Sequence, residues 1–258
     1  MADRFDTRFD RPQRLYEDAA GRDLTGAGAG RDAVGFDAGL RKHMLKVYNY
    51  MASGVLWTGI VAILLASTGV AERIFVGGGI LAYAIIFAPL IMVMIMGFRA
   101  HKMSTGGMQA FYWAFATVMG VSMSVIPLIY NGESIALTFF ATAGAFASLS
   151  LWGYTTKRNL NGLGTFCMMG LFGLIIVMIA AMIFPALRTE TWDLVISALG
   201  VLIFAGLTAY DTQKIKEIYY HVAGTDMLGK TAILGALTLY LDFINMFQFL
   251  LSFLGSRE

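Results

Sequence analysis

The chain has 258 residues, 57% of them hydrophobic and only 14% charged, with a mean hydropathy of +0.67. Soluble domains carry about a quarter charged residues, so the composition excludes an ordinary soluble domain and indicates a membrane protein. The net charge of +2 says little by itself because the charges are unevenly placed, and nothing in the chain marks a nucleic-acid partner. The single cysteine, Cys167, excludes an intrachain disulfide.

Residues 1–39 are rich in Asp, Arg, Gly and Ala and lack apolar periodicity and the apolar core of a signal peptide. They are expected to form a disordered cytosolic tail, leaving residues 40–258 as one membrane domain. Seven apolar segments follow, each of roughly 18 to 24 residues, the length that crosses a bilayer as a helix. Their limits are Val47–Thr68, Phe75–Phe98, Met108–Tyr130, Ser134–Tyr154, Thr165–Phe184, Trp192–Tyr210 and Ala232–Leu254. The connections read as short except the last, from Asp211 to Thr231.

Lys and Arg near the segment ends set the expected orientation. Arg41, Lys42, Lys46, Arg99, Lys102, Lys157, Arg158, Lys214, Lys216 and Lys230 fall on one side, against Arg73, Arg188 and Arg257 on the other. The bias places the N-terminus in the cytoplasm and, after an odd number of spans, the C-terminus outside. Pro89 and Pro127 interrupt segments two and three and predict kinks. Gly144, Ala145 and Ala147, and Gly170 and Gly173, are small residues expected to let helices approach.

The last segment carries Asp242 near its middle. A charge at that depth is costly and usually faces a bundle interior. Gly235, Thr238, Asp242, Asn245 and Ser252 share one helix face, a small and polar seam that predicts a helix wrapped by others. Segment six has a second seam, in which Ser197, Gly200 and Thr208 lead to Asp211. Two such seams can satisfy each other across a bundle. Asp211 also reads as a carboxylate at a helix end balanced by Lys214, and Asp242 as a hydrogen-bonded packing residue.

Other chemistries lack their residues. No HExxH, CxxC, GxSxG or phosphate loop is present, so no enzyme and no cofactor are expected. His43, His101 and His221 have no ligand spacing and are expected to be solvated. Calcium takes about six to eight oxygens; Asp211 and Asp242 with Thr and Asn side chains suit only a weak, transient cation site.

The runs LTAYDTQKIK (Leu207–Lys216) and LGALTLYLDFINMF (Leu234–Phe247) resemble the signature of the transmembrane Bax inhibitor motif family, the Bax inhibitor-1-like proteins. SIALTFFATAGAFASLSLWGYTTKRNL (Ser134–Leu160) and VYNYMASGVLWTG (Val47–Gly59) extend the likeness, which covers Val47–Gly255. The resemblance implies an all-α integral membrane fold of seven transmembrane helices, six of them in two three-helix layers around a central C-terminal helix. It implies a pH-sensitive calcium leak, controlled by a hydrogen-bonded aspartate pair that falls on Asp211 and Asp242. Arg99, ending the second segment, is implied as a partner of the pair in some members; it equally reads as an arginine snorkelling to the interface. Thr208, Thr238 and Asn245 are the supporting polar residues.

Two carboxylates in one desolvated site cannot both ionise cheaply, so one proton is expected to be shared between them. Some bacterial relatives instead resemble modulators of a membrane-bound ATP-dependent protease, for which the tail is the natural handle. Either way the expected location is a cell membrane, the inner membrane of a bacterium, with the bilayer, calcium ions or a membrane protease as partners.

Overall fold

The computed structural model describes residues 27–76, 79–184 and 189–256. Its elements in order are α1 (Ala27–Ser67), α2 (Val70–Phe75), α3 (Ile80–Arg99), a 3-10 turn (Ala100–Lys102), α4 (Thr105–Met123), α5 (Ile126–Ile129), α6 (Gly132–Thr155), α7 (Asn161–Ile183), α8 (Glu190–Val222) and α9 (Met227–Leu254). Among the described residues there is no strand, and seven helical spans are long and apolar enough to cross a membrane. The chain divides into two units at His43; the helical bundle is the second.

Several helix starts are written locally. Ser104, Asn131 and Thr189 each accept a hydrogen bond from the backbone N–H three residues on, at 3.1, 2.8 and 3.2 Å, and so cap α4, α6 and α8. Proline acts differently at its two interior sites. Pro89 stays inside α3, whereas Pro127 takes the first turn of the separate short helix α5. There its missing N–H removes no bond, and the expected kink of segment three is a break after Met123.

α9 is the hub. In its most apolar stretch 61% of residues are buried, against 17–33% for the other six spans. Its buried residues include Ile233, Gly235, Leu239, Asp242, Phe243 and Phe247, which extend well beyond the polar stripe over about half of the helix circumference. α9 packs against α8, α6 and α4, and Tyr240 bonds to Thr58 of α1. α7 packs on α8, and α3 on α4. The most exposed large side chains, among them Phe166, Met169, Phe172 and Ile176 of α7, form the apolar exterior that a lipid-embedded bundle presents.

The connection expected from Asp211 to Thr231 is largely helix. α8 runs to Val222 and only residues 223–226 separate it from α9, with Gly224 at φ 78° turning the chain. Similarly, α1 begins at Ala27, so 27–39 has helical backbone; the rest of the expected tail, 1–26, lies outside the described residues. Close helix approach falls on other glycines than those expected. Gly144 and Gly173 face open space, and only Gly170 has a near neighbour, Ile203. Tight contacts include Gly153 against the Ala209 carbonyl, Gly164 against the Tyr210 ring, and Gly200 against the Phe249 ring.

Candidate functional site

α8 and α9 are neighbouring antiparallel helices joined by a tight turn, and their seams meet. Near the open end Ser197 donates to Ser252 at 3.0 Å, and Gly200 receives the Phe249 ring. Nearer the turn, Gly235 lies under Ile215. Between these contacts the side chains of Asp211 and Asp242 come within reach of each other. Asp211 lies eleven residues before the end of α8 and Asp242 fifteen after the start of α9, about 16 and 22 Å at 1.5 Å per residue. The antiparallel register therefore leaves them about one helical turn apart in height.

Asp242 is 4% exposed, and its Oδ2 has no hydrogen-bond partner among the described residues. Asp211 is half-buried. The Lys214 ammonium is near enough to act on the charge of Asp211, and it lies 5.6 Å from the centroid of the Tyr210 ring. The site is thus a close acidic pair, buried on α9 and edged by the Lys214 cation on α8.

The supporting residues divide between inward and local bonding. Thr208 is wholly buried but donates to Phe204 O of its own helix at 2.8 Å. Thr238 donates to Leu234 O at 3.1 Å, and Asn245 Nδ2 donates to Leu241 O at 2.8 Å. These three line the seam without crossing it. Arg99 is exposed at the end of α3 and has no hydrogen bond or ion pair to either aspartate among the described residues. His221 is exposed. His43, in contrast, is 4% exposed and not solvated as expected; the His101 side chain lies outside the described residues. No group of three or more His, Cys, Asp or Glu that could hold a metal occurs among the described residues.

The polar contacts that do cross between helices were not legible as a site. Tyr48 of α1, Ser150 of α6 and Thr212 of α8 form a chain with distances of 2.7 and 2.9 Å. Its direction is fixed, because the Thr212 hydroxyl donates to Thr208 O at 2.8 Å. Ser150 must then donate to Thr212, and Tyr48 to Ser150. Thr58 donates to Ala116 O at 3.0 Å, so the 2.6 Å contact with Tyr240 takes its proton from the tyrosine. One signal in the sequence does point to the extended α8. Thr208, Thr212, Ile215 and Tyr219 recur at helical spacing through the stretch that reads as a loop, and all four are buried.

Seven apolar helices, the last of them sheathed by its neighbours and carrying half of a carboxyl pair, define a multi-pass integral membrane protein with a buried acidic centre. The chain belongs to the Bax inhibitor family, matching the family described as inhibitor of apoptosis-promoting Bax1 over residues 40–258. It is 38% identical over 223 residues to the inner membrane protein YbhL of Escherichia coli K12, covering 86% of this chain and 94% of that protein. An uncharacterized protein of Caulobacter vibrioides is 46% identical over 241 residues, covering 89% and 94% of the two chains. The uncharacterized protein RP147 of Rickettsia prowazekii is 44% identical over 226 residues, covering 86% and 93%.

Proposed function

We propose that the protein is a pH-sensitive calcium or general cation leak of a bacterial inner membrane, gated by the proton shared between Asp211 and Asp242. The reading rests on one observation above the others: the two carboxyls face each other between α8 and α9, with Asp242 almost fully buried midway along the most enclosed helix. With the proton in place the pair joins α8 to α9. Without it two like charges face each other where water cannot screen them, and the α8–α9 contact weakens. Calcium is the permeant ion, met in transit by carboxylate oxygens and not held in a closed cage. In this reading the N-terminus is cytoplasmic and the C-terminus outside.

The test is cation flux from proteoliposomes across a pH series. Asp211→Asn and Asp242→Asn keep size and hydrogen bonding but remove a titratable group. Each single variant is expected to lose most of the pH dependence, and the double variant to add little, because residues acting as one unit are not additive. Independent shifts that sum in the double variant would mean two separate sites and would refute the shared-proton gate.

A further inference from the structure

Gln213 lies two residues after Asp211 and is 8% exposed. Both ends of its amide bond to backbone outside α8. Oε1 accepts from the Leu160 N–H at 2.8 Å, and Nε2 donates to the Arg158 carbonyl at 2.8 Å. One side chain thus closes on the 156–160 connection between α6 and α7. It also satisfies a buried donor at the start of α7, where Leu160 supplies no side-chain cap of its own.

The neighbouring positions grip the same two helices. Lys216 Nζ donates to Tyr154 O at 2.9 Å in the last turn of α6 and lies 5.3 Å from the Tyr154 ring centroid. A cation there also suits the negative end of the helix dipole. Ser150 donates into Thr212, the Ala209 carbonyl seats on Gly153, and the Tyr210 ring seats on Gly164. The turn of α8 that carries Asp211 is therefore held by directional bonds and backbone contacts to α6 and α7. Around Asp242 the contacts of α9 are of another kind. Phe243 meets Phe139 and Phe146 at 5.7 and 5.6 Å between centroids, and Tyr240 makes one hydroxyl bond to Thr58. Hydrogen bonds fail with small changes of distance and angle, whereas ring contacts tolerate sliding.

We infer that Gln213 is a positioning residue that pins Asp211 to the α6–α7 connection, making α8 the fixed member of the pair when the proton leaves. Its consequence for flux rests on the function proposed above; the pinning itself is read independently. The charged or titratable groups facing this region are Lys214 and Lys216 on α8, Asp242 from α9, Tyr154 from α6 and Tyr48 from α1, with Arg158 contributing its carbonyl from the connection. Substituting Gln213 removes none of them.

The experiment uses full-length protein in proteoliposomes, with Cys167→Ala as background. Spin labels replace the exposed residues Leu151 and Glu217 to read α6–α8, and Glu217 and Gln248 to read α8–α9. Across the pH series the α6–α8 distance is expected to stay constant, with the α8–α9 distance read alongside it as the comparison. Gln213→Met keeps the length and loses both bonds; it is expected to broaden the α6–α8 distribution and shift the pH midpoint of flux. Gln213→Glu keeps the acceptor for Leu160 N–H and is expected to fall between, and it carries the comparison if the methionine variant does not insert. An α6–α8 distance that itself follows pH, or variants matching the wild type in both distribution and midpoint, would overturn the inference. Wild-type flux that ignores pH would refute the proposed function, and the α6–α8 distributions would still decide whether Gln213 pins the helix.

Discussion

At the scale of single residues, what a hydroxyl does in this bundle depends on whether it reaches a neighbouring helix. Ser148 and Ser150 are two positions apart on α6. Ser148 is exposed and donates to Gly144 O of its own helix at 2.8 Å, a bond that leaves no partner stranded when it is lost. Ser150 is buried between Tyr48 and Thr212, and its removal leaves the tyrosine donor without an acceptor. Ser150→Ala is accordingly expected to destabilise by about 1–2 kcal/mol. Ser148→Ala is expected to stay within about 0.5 kcal/mol of wild type. Reversible unfolding in mixed micelles measures both, and equal losses would deny the chain its structural weight.

At the scale of elements, packing distance sets the response of each glycine. A methyl at Gly153 would strike the Ala209 carbonyl, and backbone cannot step aside as a side chain can. Gly153→Ala is expected to cost about 1–3 kcal/mol through overpacking and to push α6 from α8 next to Asp211, so the pH profile of flux should move with it. Gly144, nine residues earlier on the same helix, has nothing within 4 Å. Gly144→Ala is expected to be neutral or to stabilise by up to about 1 kcal/mol through helix propensity. Thermal midpoints of the pair, measured side by side, check the contrast. α8 itself is the element whose extent matters most. Its 33 residues span about 50 Å, longer than a hydrocarbon core of about 30 Å, so Asp211 sits well inside a helix and is held by that helix's onward turns.

For the whole molecule, the enclosure of α9 and the exposed apolar faces of α3 and α7 separate a core that can house a carboxyl from a surface that meets lipid. The basic residues beside the segment ends give the expected orientation. A fluorescent protein fused before Met1 is expected to light up, and alkaline phosphatase fused after the last residue is expected to be active. Each reporter exchanged to the other terminus should be silent; signals in the reverse pattern would invert the topology and with it the side from which Asp211 meets protons.

The amino-acid sequence by itself determined the membrane class and the seven apolar spans, and it singled out Asp211 and Asp242 as the carboxyls on polar helix seams. Hydropathy accumulates over some twenty residues, and a carboxyl inside such a run costs too much to be incidental. It also carried the family signature on Leu207–Lys216 and Leu234–Phe247. Only the tertiary structure decided which polar residues act across helices. A Ser, Thr or Asn in a helix can bond its own carbonyl four residues back, as Thr208, Thr238 and Asn245 do, and nothing local distinguishes them from Ser150 or Thr212. The choice is made by how near the next helix comes, which depends on Gly153 and Gly164 meeting particular atoms of α8. Gln213 is the clearest case: its two partners lie more than fifty residues away in sequence, and only folding brings them within reach of its amide.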